Sequence, residues 1–246
     1  MKNSEDSRSD FTRLNYRRIL QIVTNTYRTG TIAQYKEESI QALWRHDVDY
    51  SPQAALALGT IENEEGVQST YYFNMRSEFY NLFEPSVANI VQRLYLMGHE
   101  IGLHFDAMQS DVSTATKLEM SLEKECKIFE TIFGIKVKSF SFHNPSELTN
   151  NFKDELYGGL INAYNNDLMS RFVYCSDSNG YWRFTPLEEF IRSNHSAICV
   201  LTHPGWWTDV PMSPRDRIVR CVEGRAKATL WQYDELLIKH GRKNIR

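Results

Sequence analysis

The run Gln41-Ala42-Leu43-Trp44-Arg45-His46-Asp47-Val48-Asp49, followed by Tyr50-Ser51-Pro52, decides the fold. Its first four residues are mostly apolar and read as a strand, and its end is crowded with ionisable side chains. Pro52 then sits where a first helical turn tolerates it, because a missing N–H costs nothing there. Residues 53–65 are rich in alanine and leucine, then in glutamate, and Gly66 stops them. The segment therefore predicts a strand that hands polar groups to its C-terminal end and continues into a helix.

The same alternation extends in both directions. Residues 11–28 carry a helical apolar stripe. Gln68–Asn74, His99–His104, Val137–Phe142, Leu160–Tyr164, Phe172–Ser176 and Ala197–Thr202 read as strands. Between them, Pro85–Met97, Ala115–Phe133, Pro186–Arg192 and residues 214–240 read as helices, with Gly98 and Gly134 as stops. Strands alternating with helices predict an α/β fold with a mostly parallel sheet. About seven strands in 246 residues favour a distorted (β/α) barrel over an open doubly wound sheet. We expect one barrel domain over residues 1–246, with residues 1–10 frayed.

Composition removes several classes. With 28 basic and 31 acidic residues the net charge is −3, which argues against a nucleic-acid partner. There is no apolar run long enough to cross a membrane, and Met1–Asp10 has no apolar stretch of signal-peptide type. The expected compartment is the cytoplasm. There the four cysteines, Cys126, Cys175, Cys199 and Cys221, none in a CxxC pair, read as reduced and mostly buried thiols.

The histidines carry the chemistry. His46, His104, His143 and His203 each fall at or just beyond the end of an expected strand, with Asp47, Asp49 and Asp106 beside them. In parallel α/β folds those ends share one face. Imidazoles and carboxylates in one place are suited to a divalent metal, and histidine near neutral pH is suited to proton transfer. Asp47 and Asp49, two apart on a strand, point to the same side. Asp49 before Ser51-Pro52 also fits a helix cap. Asp177, in Asp-Ser-Asn-Gly, fits either a turn or a partner that orients His203.

Five motifs in order, HDVD (46–49), GHEIGLH (98–104), FHNP (142–145), DSNGYW (177–182) and LTHP (201–204), resemble those of the polysaccharide deacetylases of carbohydrate esterase family 4. The likeness spans about residues 43–207 and is nearest in flavour to deacetylase-like proteins of O-antigen gene clusters. It implies a distorted barrel, a divalent metal, most often zinc, and hydrolysis of an N-acetyl group on an amino sugar in surface-polysaccharide biosynthesis. It further implies Asp47 as base, Asp49 and His104 as metal ligands, and His203 as general acid.

Two positions depart from the family pattern. Met108 stands where a second metal histidine is usual, and His143 where an arginine orients the base. His143 is then the expected third ligand; Asp106 and the absence of metal are the alternatives. Trp206, Trp207, Arg183 and Asn144 are candidate substrate contacts, and only one of the two tryptophans is expected to face the site, since neighbours on an extended chain point opposite ways. Arg45 reads as a salt-bridge residue or as a contact for an acidic substrate group. Two other functions stay open: an amidohydrolase acting on a non-sugar C–N bond, and a non-catalytic carbohydrate-binding homologue without metal.

Overall fold

The structure, a computed structural model, describes residues 10–245. The expectation for residues 1–10 falls almost entirely outside that range. Helix α1 (Arg13–Thr26) is followed by β1 (Thr29–Gly30), β2 (Ala42–Val48), α2 (Pro52–Glu64) and β3 (Thr70–Phe73). Then come α3 (Pro85–Leu96), β4 (Glu100–Phe105), α4 (Ala115–Phe133) and β5 (Ser139–Phe142). The chain goes on through β6 (Leu156–Tyr157), β7 (Leu160–Asn162), α5 (Asn166–Arg171), β8 (Val173–Ser178) and β9 (Tyr181–Trp182). It closes with α6 (Leu187–Arg192), β10 (Ile198–Thr202) and α7 (Pro214–Lys239).

All strands belong to one sheet in the order β6-β7-β5-β4-β3-β2-β10-β8-β9, with β1 beside β2. The pairings β2–β3, β3–β4, β4–β5, β5–β7, β2–β10 and β10–β8 are all parallel. The fold is therefore α/β with a mostly parallel sheet, as the sequence predicts. Only β6 and β9 run antiparallel, each as a short hairpin at an end of the sheet. Among the described residues no backbone pairing joins those two ends, which is the distortion in the barrel.

Local chemistry sets the boundaries. Ser51 caps α2 by accepting from Ala54 N, and Pro52 starts it. Thr114 caps α4, and Gly134 ends it in the left-handed conformation at φ 64°. Every residue of β2 is buried, so this strand is covered on both faces. Trp44 packs toward α1 with Tyr16, Leu20 and Val23, while Leu43 lies in the interior cluster with Tyr72, Ala163 and Cys199. A third cluster joins Tyr71, Ile101, Leu103 and Phe140 to α3 and α4.

The N-terminal end of the barrel is closed by polar bonds. Glu100 accepts from Ser139 Oγ at 2.6 Å, Thr70 Oγ1 at 3.0 Å and Ala33 N at 2.8 Å. The opposite end, where the parallel strands finish, is the open one. Gly102 in β4 is required by a close approach: a Cβ there would stand 2.4 Å from the Tyr72 ring and 2.8 Å from the Ser139 carbonyl oxygen.

Candidate metal centre and active site

The ends of β2, β4, β5, β8 and β10 surround a cavity of about 390 Å³. Its walls include Asp47, Asp49, His104, His143, Asp177 and His203, which the sequence singles out, together with Asn144, Arg183 and Trp206.

Three of these side chains converge on a point. Asp49 Oδ1 lies 3.0 Å from His104 Nε2 and 3.4 Å from His143 Nδ1, and the two ring nitrogens are 3.0 Å apart. Each of the three residues offers one ligand atom, all within 4.8 Å of one another. Asp49 Oδ1 is buried and makes no hydrogen bond of proper geometry, so its lone pairs face the two imidazoles without a donor. Tetrahedral bonds of about 2.0–2.1 Å separate ligand atoms by about 3.3 Å, which these spacings approach. The group is therefore able to hold a divalent cation. Asn144, at φ 47°, brings its amide within 2.9 Å of His143 Nε2 and holds that ring in place.

The neighbouring histidines and the loop after β4 divide as follows. Met108 is 82% exposed and is not in the ligand group. Asp106 caps the following turn, accepting from Met108 N at 3.0 Å and Gln109 Nε2 at 3.3 Å, and is not in the ligand group. His46, which the strand-end argument had grouped with the others, is on the opposite face of β2. It contacts Glu62 Oε1 at 2.5 Å, in a buried cluster with Tyr16, Tyr71 and His99. The reason is the two-residue period of a strand: Asp47 faces inward, so His46 must face out.

Asp47 is nearly inaccessible and is held by two donors. Ser141 Oγ donates to its Oδ2 at 3.1 Å, and Arg45 NH2 lies 3.3 Å from the same atom. Burial opposes the charge on Asp47, but Arg45, His104 and His203 outweigh it, and its pKa lies below the usual carboxylate range. Arg45 is itself fully buried. It also donates to Ser141 Oγ at 2.8 Å, Tyr164 OH at 3.0 Å and the Ala163 carbonyl at 3.2 Å, with its guanidinium over the Tyr164 and Tyr72 rings.

On the far wall, His203 Nδ1 is bonded to Asp177 Oδ1, and its Nε2 lies 3.7 Å from Asp49 Oδ2. Asp177 lies on β8 rather than in the turn, which is made by Asn179 and Gly180. Its Oδ2 also accepts from Thr202 Oγ1 at 2.5 Å and His203 N at 3.0 Å. Burial works against the imidazolium, but the Asp177 carboxylate overrides it and pushes the His203 pKa up to about 10.

Of the two tryptophans, Trp206 lines the cavity and stacks edge-on against Tyr50. Trp207 is fully buried against Phe11 and Tyr16 and is not a cavity residue. It acts at one remove, since its indole N–H donates to Thr202 Oγ1 at 2.8 Å, the hydroxyl that braces Asp177. Arg183, on the short segment after β9, is exposed at the rim and forms no ion pair among the described residues. Sequence reading does not find Ser141, Tyr164 or Tyr174. Only Ser141 leaves a signal, as one of two serines alternating with phenylalanines in SFSF.

No family model matches the chain, and no curated protein matches it. Its solved structural neighbours are family 4 carbohydrate esterases. A family 4 carbohydrate esterase from Bacillus anthracis matches at 13% identity and TM-score 0.45, over 87% of this chain and 86% of that one. The chitin deacetylase of Colletotrichum lindemuthianum matches at 12% identity and TM-score 0.44, over 74% and 81%. A family 4 pseudoenzyme from Bacillus anthracis matches at 12% identity and TM-score 0.42, over 77% of this chain, which spans 61% of that protein's length.

Proposed function

We propose that the protein is a metal-dependent hydrolase that removes an N-acetyl group from an amino sugar in surface-polysaccharide (O-antigen) biosynthesis, acting in the cytoplasm with zinc. One observation carries the hydrolytic reading: the Asp49, His104 and His143 group is flanked in a single cavity by Asp47 on one side and the His203–Asp177 pair on the other. The sugar and the pathway are supported by the motif resemblance.

Asp49, His104 and His143 would hold the metal, which when bound polarises an amide carbonyl and acidifies a water molecule. Asp47, kept ionised by Arg45 and Ser141, is placed to take that water's proton. His203, kept protonated by Asp177, has Nε2 turned to the cavity and is placed to protonate the leaving amine. Trp206 and Tyr50 offer a flat apolar wall for a sugar ring, and Asn144 and Arg183 offer polar contacts at the rim.

The test is acetate release from N-acetyl amino sugars by zinc-loaded protein, with Asp47→Asn as the comparison. Release that Asp47→Asn abolishes, with substrate binding retained, supports the reading. Turnover only on non-sugar amides makes the protein an amidohydrolase of another kind. No turnover on any amide, with no zinc retained, makes it the non-catalytic homologue, and zinc retained without turnover equally removes the hydrolase reading.

A further inference from the structure

Helix α7 is 26 residues long, a span of about 39 Å. Its first half lies on the barrel: Arg217 is buried, Ile218 packs on the outer core, and Arg225 pairs with Glu84 at 2.6 Å. Beyond Arg225 it lies more loosely: Ala228, Thr229 and Gln232 still line a cleft with Glu84 and Ser86, while the outward residues are open. Leu230 is 66% exposed, Trp231 63%, Tyr233 56% and Leu236 54%.

Val219, Val222, Ala226, Leu230, Tyr233 and Leu237 recur at intervals of three and four, so they lie along one side of the helix. The side that touches the barrel, at Arg217, Ile218, Cys221 and Arg225, continues as Ala228, Gln232, Glu235 and Lys239, which is mostly polar, with Leu236 at its margin. The apolar stripe is therefore on the side of α7 turned away from the described barrel residues.

The charges beside that stripe indicate what covers it. Glu223, Lys227 and Asp234 form a column along one edge and alternate in sign. An anionic lipid surface calls for cations on such an edge. Mixed signs suit a helix running the other way. About a two-fold axis between Trp231 and Gln232, Leu230 meets the partner's Tyr233 and Ala226 meets the partner's Leu237, so small faces large. The same register sets Lys227 beside the partner's Asp234, and does so twice. It also puts the two barrels at opposite ends of the helix pair.

We propose that α7 is a dimerisation element that pairs antiparallel with α7 of a second copy of this chain. Sedimentation equilibrium on the full chain, from about 1 to 100 µM, tests it. A reversible dimer is expected, with its dissociation constant raised at least about tenfold by Leu230→Glu while circular dichroism is unchanged. Lys227→Asp should weaken the dimer, and adding Asp234→Lys should restore it. A wild-type chain that stays monomeric to the top of that range overturns the proposal. So does a dimer that Leu230→Glu leaves intact. Monomer that binds phosphatidylglycerol vesicles through Leu230 overturns it too, and assigns the stripe to a membrane surface.

Discussion

The Arg45 guanidinium stands 3.3 Å from Asp47 Oδ2, two residues along the same strand and with neither side chain open to solvent. A strand turns alternate side chains to one face, so β2 supplies both the carboxylate and its counter-charge. Removing Arg45 leaves a buried anion with Ser141 as its remaining close donor.

Arg45→Leu is therefore expected to cost about 3–5 kcal/mol in denaturant unfolding, the usual penalty for breaking a buried ion pair from one side. Arg45→Lys should recover only part, because one ammonium cannot reach Asp47, Ser141, Tyr164 and the Ala163 carbonyl together. A loss below about 1 kcal/mol for Arg45→Leu would show the pair to be solvated.

In metal-free protein, the His203 ring is expected to titrate near pH 10, read by NMR of its ring protons. The folded pKa is raised, so the pair's contribution to stability is fully present below the unfolded value of about 6.5 and is lost as pH climbs toward 10. Asp177→Asn removes the stabilising charge, so the titration should move down toward the unfolded value and alkaline stability should flatten. Titration near pH 6.5 in the unaltered protein would rule out the pairing.

Equilibrium dialysis with zinc separates the candidate ligands. His143→Ala should weaken binding more than Asn144→Ala, whose effect is expected at about 10–100-fold because it acts only by holding the His143 ring. Met108→Ala should leave affinity unchanged, since that side chain is 82% exposed and lies outside the ligand group. Equal losses for Met108→Ala and His143→Ala would assign the third ligand wrongly.

Gly102→Ala is expected to destabilise by about 1–3 kcal/mol, as the new methyl meets the Tyr72 ring and the Ser139 carbonyl. Thermal unfolding measures this. A neutral result would mean that Tyr72, whose hydroxyl bonds Ser139 at 2.9 Å, has room to swing away.

Much of the parallel sheet was legible because β3, β4, β5 and β7 each follow a glycine stop, and β2 and β10 are apolar runs with a polar end. Helix α4 follows its expected limits, Ala115–Phe133, because Gly134 ends it abruptly. The two-residue strands β1, β6 and β9 carry too little pattern to be read. Strand ends brought Asp49, His104 and His143 to one face together with His46 and His203, and picking these three out as ligands rested on the motif resemblance. The placement of His46 could not be inferred that way, but period-two alternation from Asp47 would have corrected it. Trp206 and Trp207 separate as neighbours should, though which of them faces the cavity depends on the short helical turn after β10. The role of Arg45 was hidden because an arginine next to a cluster of ionisable residues looks the same whether it meets a ligand or its own strand.

The two faces of β2 bear on how this chain tolerates change. Arg45 and Asp47 serve the cavity, while Trp44 and His46 serve the buried Glu62 cluster behind it. No residue of the strand is free to drift, and deleting or inserting one would exchange the two sets, setting the Asp47 carboxylate among tyrosines and the His46 ring inside the barrel. Sequence divergence among proteins built this way should therefore avoid β2.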